Sequence, residues 1–126
     1  MNMKDERQFV GYSKYRSRLV DGHVHTELCP HGSGDRTAMM IEKAIELRIE
    51  KVCLTEHAPL PTAFAAEYGG DKKAYDTASL KLNQVDAYLE LGRQLQRAYG
   101  THIDISLGFE VDYIPGFESD IQEFLD

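Results

Sequence analysis

Residues 21–31 read DGHVHTELCPH and hold three of the chain's five histidines and one of its two cysteines. His23 and His25 stand two apart, so on an extended backbone both side chains project to the same face. Two imidazoles placed that way can bind one cation, and neutral imidazole is the commonest protein ligand for zinc-like metals. A surface or hydrogen-bonded pair is the plain alternative for HxH alone. Further along, KVCLTEH ends on Glu56 and His57, and GFEVDY carries Glu110 and Asp112. Glu110 interrupts an apolar run, where a lone buried carboxylate is expensive unless it is paired or coordinating. An N-cap or salt-bridge role would also account for it.

The neighbours of these groups leave several readings open. His31 lies between Pro30 and Gly32 and is expected in a loop, exposed if taken alone. Cys29 is a possible soft ligand, and His23, His25, Cys29 and His31 could form a small structural zinc site. A packed thiol is the simpler reading of Cys29. Asp21 and Glu56 each precede a histidine closely, and either could accept an imidazole N–H or sit solvated at the surface. Asp112 is two residues beyond Glu110, and its role stays undecided. The turn HGSGD could present backbone N–H groups of Gly32 and Ser33 to an anion, with Arg36 assisting.

These residues need elements to position them. RLVDGHVHT reads as a first strand, KVCLTEH as a second and HIDISLGFEVDY as a third. Asp35 is the expected N-cap of a helix over residues 36–47, with Ala38, Ile41, Ala44, Ile45 and Arg48 on one stripe. The prolines of APLP end regular structure, and polar residues 61–78 read as a long loop. Ser79 is expected to cap a helix over residues 80–99, with Leu82, Val85, Leu89 and Leu95 inward, Gly92 a local cost and Gly100 its C′ residue. GFESDIQEFLD begins a third helix, and His102 falls at the wrong end of its strand for the pocket.

Strand and helix alternate, so the chain reads as α/β with parallel strands joined by crossover helices. His23 and His25, then Glu56 and His57, then Glu110 and Asp112, all fall at strand ends. In a β/α barrel those C-terminal ends converge on one face, where the active site is built. That coincidence favours a metal site made of His23, His25, His57 and Glu110.

The bulk composition excludes some functions. With 126 residues, 42% hydrophobic and 28% charged, the chain suits one small globular domain. No apolar run approaches the roughly 20 residues that span a bilayer. The N-terminus lacks an apolar signal core, so a cytoplasmic location is expected, with Cys29 and Cys53 as free thiols. A net charge of −7 argues against a nucleic-acid surface but leaves an anionic small substrate open, because metal ions can invert the local field. Residues 1–17 read as a polar, flexible leader, and 18–126 as the domain.

Three phrases in order, DGHVHTELCPHGSGD, LTEHAPLP and LGFEVDYIPGFE, resemble the polymerase-and-histidinol-phosphatase (PHP) family, in its monofunctional histidinol-phosphatase branch. The resemblance covers about residues 19–126 and implies a distorted seven-stranded β/α barrel with a trinuclear metal cluster at its C-terminal face. It implies that His23 and His25 bind one metal with Glu110, which bridges to a second, and that His31 and His57 serve the third. Zinc, iron or manganese would hold the phosphate of L-histidinol phosphate and activate a hydroxide for in-line attack, with no protein nucleophile. Family members are about twice as long, and their later strands supply further ligands and phosphate-gripping basic residues. The expectation is therefore an N-terminal half, about three β/α units, that needs its C-terminal half or a homo-oligomer for activity. Another phosphoesterase of the family, of nucleotide or nuclease type, and a non-catalytic metal-binding half-barrel that needs a partner are the alternatives.

Overall fold

The computed structural model describes residues 19–67 and 71–126; the leader reading of residues 1–17 falls outside them. Strand β1 (Val20–Val24), helix α1 (Thr37–Glu46), strand β2 (Lys51–His57), helix α2 (Lys72–Ala78), helix α3 (Val85–Tyr99), strand β3 (Asp104–Glu110) and helix α4 (Glu118–Leu125) follow in order. The strands form one parallel sheet in the order β1-β2-β3. Parallel neighbours cannot be joined by a hairpin, so each connection crosses over through helix. No helix among the described residues is long and apolar enough to cross a membrane.

Alternation along β2 sorts its side chains between two faces. Val52, Leu54 and Glu56 are buried, while Lys51, Cys53, Thr55 and His57 are half-buried on the other face. Val52 and Leu54 join Ile105 of β3, Ile41 and Ala44 of α1, and Tyr88 and Leu95 of α3 in the core. Ile41 and Leu54 are 1% and 0% exposed, and burying a side chain of that size contributes roughly 1.5–3 kcal/mol. Helix α3 can lie close on the sheet because residue 92 is glycine: a Cβ there would stand 2.4 Å from Leu107 Cδ1. The local cost expected of Gly92 is thus the condition for this packing.

Several expectations from the sequence are corrected. The described residues of the expected 61–78 loop form a 3-10 turn (Thr62–Glu67) and helix α2, which Asp71 caps by accepting Ala74 N–H at 3.0 Å. Ser79 ends α2 rather than starting the next helix, and its hydroxyl accepts Leu60 N–H at 3.3 Å. A 3-10 turn (Leu82–Gln84) precedes α3, so Leu82 leaves the inward stripe and is 70% exposed. Arg48 adopts φ 60, outside α1, and cannot extend its stripe. Gly100 is the C-cap at φ −62, so it ends α3 without a left-handed turn.

Asp35 does not cap α1. The first residue of α1, Thr37, gives its backbone N–H to Glu27 Oε2 at 2.7 Å, and its hydroxyl bonds the same oxygen. Glu27, ten residues upstream, therefore supplies the carboxylate that a helix N-terminus favours. Asp35 instead accepts the Ser33 hydroxyl at 2.9 Å.

Candidate metal centre

Parallel strands bring their C-terminal ends to one edge of the sheet. His57 and Glu110, the last residues of β2 and β3, are partners across the ladder. β1 reaches the same place irregularly: Asp21 pairs with Val52 and Val24 with Leu54, so β1 spends one residue more than β2 over that stretch. The extra residue makes a bulge around Gly22 and His23, a device that re-aims side chains. His25 lies beyond Val24, the end of β1. Simple alternation is therefore not what brings His23 and His25 together; the bulge and the turn after β1 do so.

Glu110 Oε2 is the point of convergence. It stands 3.1 Å from His23 Nε2, 3.1 Å from His25 Nε2 and 3.2 Å from His57 Nδ1. The two Nε2 atoms are 2.8 Å apart. Burial works to raise the Glu110 carboxyl pKa, but the His23 hydrogen bond and the charges of His57, His23 and His25 outweigh it and hold the group below the usual carboxylate range. His57 Nδ1 is buried and, although near Glu110, makes no aligned hydrogen bond. An unsatisfied buried polar atom costs about 1–3 kcal/mol. Ligand atoms bonded to a tetrahedral zinc at 2.0–2.1 Å lie about 3.3 Å from one another. The orphaned ring nitrogen and the short donor–donor spacings fit a set of groups that could hold a metal ion, and His23, His25 and Glu110 form such a set.

His31 approaches from the loop after β1. Its ring centroid is 4.9 Å from that of His57 and 6.5 Å from that of His25. Its Nδ1 lies 2.7 Å from the carbonyl oxygen of Thr77, in the last turn of α2. A carbonyl only accepts, so Nδ1 carries a proton, and in the neutral ring Nε2 is the nitrogen with the lone pair. Thr77 could not be found from the sequence, because a backbone carbonyl has no signature in residue type.

Behind His25, the Glu56 side chain is fully buried. Its Oε1 lies 2.8 Å from His25 Nδ1, and Oε2 accepts Thr26 N–H at 3.2 Å and the Thr26 hydroxyl at 3.0 Å. The Tyr88 hydroxyl accepts Glu56 N–H at 3.3 Å and donates to Gly108 O at 2.6 Å, tying β2 to β3 from the helix side. Burial pushes the Tyr88 phenol up to about 12.

The remaining candidates do not reach Glu110, although several lie beside the cluster. Asp21 is exposed and accepts the backbone N–H of His23 at 3.4 Å rather than an imidazole proton. Asp112 is exposed beyond the end of β3 and lines a groove of about 740 Å³ with Ala58, Leu60, Ile114 and Phe124. Gly32 and Ser33 line a cavity of about 320 Å³ beside His23 and His25. The Gly32 N–H goes to Cys29 O at 3.2 Å and Ser33 Oγ is engaged with Asp35. The anion-binding reading also loses the N-terminus of α1, which Glu27 already occupies, and Arg36 acts there through its charge near Glu27. Cys29 and Cys53 are free thiols. Cys29 is buried, which pushes its thiol pKa up, so it suits a packed neutral group; with His25 and Glu56 it makes a second cluster of potential donors. The four-residue zinc site of His23, His25, Cys29 and His31 is not among the groupings the described residues form.

Comparison with known proteins gives the family. The PHP domain family matches residues 21–125. A histidinol-phosphatase from Bacillus subtilis is 37% identical over 106 residues, covering 84% of this chain and 38% of its own length. A "Probable histidinol-phosphatase" from Deinococcus radiodurans is 28% identical over 107 residues, covering 85% of this chain and 37% of its own. A solved structure from Listeria monocytogenes, ascribed to a histidinol phosphatase, superposes with a TM-score of 0.81 at 40% identity, covering 84% of this chain and 39% of that one. The chain thus spans under two fifths of the length of these relatives. Within that span the family match takes in all three strand ends that build the cluster, and the chain belongs to the PHP domain family.

Proposed function

We propose that the chain is part of a metal-dependent phosphomonoesterase that hydrolyses L-histidinol phosphate to L-histidinol and phosphate. One observation carries this reading: Glu110 Oε2, at the end of β3, lies within 3.2 Å of three imidazole nitrogens at the ends of β1 and β2. The names of the relatives supply the substrate. In this reading the three strands are part of a distorted seven-stranded β/α barrel. His23, His25 and Glu110 would hold one divalent ion, and Glu110, His31 and His57 would serve further ions. Zinc, iron and manganese all accept imidazole and carboxylate donors. When bound, such ions supply Lewis-acid stabilisation of phosphoryl charge and a nucleophile at neutral pH.

The chain's own residues hold these donors ready. Glu110 stays ionised at neutral pH, since its carboxyl is held below the usual range. The Thr77 carbonyl holds His31 through Nδ1 and so leaves Nε2 as the nitrogen that can face an ion. Asp21 braces the bulge through the His23 amide. Further ligands and the groups that grip the phosphate belong to chain outside these residues or to a second copy, and the location is cytoplasmic.

The test is phosphate release from L-histidinol phosphate by the natural gene product, with and without divalent metal. His25→Ala is expected to lower the rate at least about 100-fold, because a metal contributes several kcal/mol of transition-state stabilisation. Normal turnover by that variant sinks the proposal. Faster release from nucleotides than from histidinol phosphate moves the protein to another phosphoesterase of the family.

A further inference from the structure

A fully buried carboxylate must be held by donors, because burying its charge unpaired is costly. Glu56 is 0% exposed. Its two oxygens meet different demands. Oε2 faces the Thr26 backbone N–H at 3.2 Å, a group that can only donate, and the Thr26 hydroxyl at 3.0 Å. Oε1 faces His25 Nδ1 at 2.8 Å, which can donate or accept according to the ring's tautomer.

We infer that Glu56 is a positioning residue that locks His25 in its Nδ1–H tautomer and so presents the Nε2 lone pair to the cation site beside Glu110 and His23. The inference rests on the metal-centre reading of His25 but not on the identity of the substrate. With Oε2 held by the two Thr26 groups, Oε1 meets the ring as an acceptor, so Nδ1 supplies the proton, and in a neutral ring Nε2 is then bare. Nε2 is the atom 3.1 Å from Glu110 Oε2 and 2.8 Å from His23 Nε2. Cys29 adds a weak thiol donor near the same carboxylate, which leaves the demand at Nδ1 unchanged.

The asymmetry of the two oxygens predicts an inversion on replacing one atom. In Glu56→Gln, the Thr26 N–H requires the amide oxygen at the Oε2 position. That orientation turns the new NH2 group toward His25 Nδ1. A donor facing Nδ1 needs an acceptor, so the ring proton moves to Nε2 and the lone pair is lost to the cation. The opposite amide orientation sets NH2 against Thr26 N–H and leaves two donors facing each other in a buried place, at a cost of about 1–3 kcal/mol. The variant keeps the side chain's shape and leaves no cavity, but it also removes a charge, so the tautomer is read directly from the ring and the zinc affinity is read beside it.

The experiment is long-range proton–nitrogen NMR of the 15N-labelled chain after chelator treatment, at about pH 8, above the ordinary histidine range. His25 is expected as Nδ1–H in the parent chain and as Nε2–H in Glu56→Gln. Zinc affinity, measured by competition with a chromophoric chelator, is expected to fall about 10- to 100-fold in the variant. Nε2–H at His25 in the parent chain overturns the inference, and that measurement needs no variant. An unchanged tautomer or an unchanged zinc affinity in Glu56→Gln overturns it as well. The spectra contain neither metal nor substrate, so failure to hydrolyse histidinol phosphate and failure of this inference are separate results.

Discussion

Glu110 Oε2 stands 3.1 Å from both His23 Nε2 and His25 Nε2, and the two ring nitrogens stand 2.8 Å from each other. No assignment of protons gives each of those three contacts its own straight hydrogen bond, whereas one cation among three lone pairs suits all of them. Glu110→Gln is therefore predicted to weaken zinc binding by more than the about 10- to 100-fold typical of losing an outer partner. Asp112→Asn, at an exposed site outside the cluster, should leave affinity unchanged. Equal losses in the two variants, read by the same chelator competition, would contradict the assignment.

His31 links the cluster to α2 through a single contact, Nδ1 to Thr77 O at 2.7 Å. Holding His31 on an ion should hold the last turn of α2 as well. Hydrogen exchange of residues 72–79 is predicted to slow on adding zinc, and His31→Ala should abolish that slowing. Exchange in α2 that ignores zinc would break the link.

Gly92 sets the distance between α3 and β3. Alanine there gains about 1 kcal/mol of helix propensity, but its Cβ would meet Leu107 Cδ1 at 2.4 Å and Cγ at 3.1 Å. Overpacking costs about 1–3 kcal/mol, so Gly92→Ala should be neutral to destabilising by about 2 kcal/mol. In a Leu107→Ala background the clash is gone, and the same change should become stabilising. Urea denaturation of the four proteins in this cycle measures both terms.

The Glu27 carboxylate that caps α1 gives a dependence on pH. Burial raises its pKa, but hydrogen bonds from the Thr37 hydroxyl and backbone, with the Arg36 charge, outweigh that and lower it from 4.5. A group whose folded pKa is depressed contributes stability in full above its unfolded pKa and loses it as pH falls through the folded value. Glu27→Gln should thus melt below the parent chain at neutral pH, by about 1 kcal/mol for a lost cap. The gap should close as pH drops below 4.5. A gap that stays constant down to low pH would show that the cap does not depend on the charge.

Some of this protein is legible in the bare sequence. KVCLTEH marks β2 from Lys51 to His57, because a short apolar run followed by prolines reads as a strand, while the burial of Glu56 beside Val52 and Leu54 came only from the structure. The cluster's members are legible too, since metal-binding capacity resides in residue type, and His23, His25, His57 and Glu110 all stand near strand ends. Other features were not. The bulge at His23, the Glu27 cap on Thr37 and the Thr77 carbonyl on His31 depend on how backbones lie against one another. Residue type alone therefore determined which groups could hold an ion and roughly where each strand ends. Tertiary structure decided which face each group presents and, in Glu56 behind His25 and Thr77 behind His31, what each ring nitrogen meets. Those contacts join residues 31 and 46 positions apart, beyond the reach of any local periodicity.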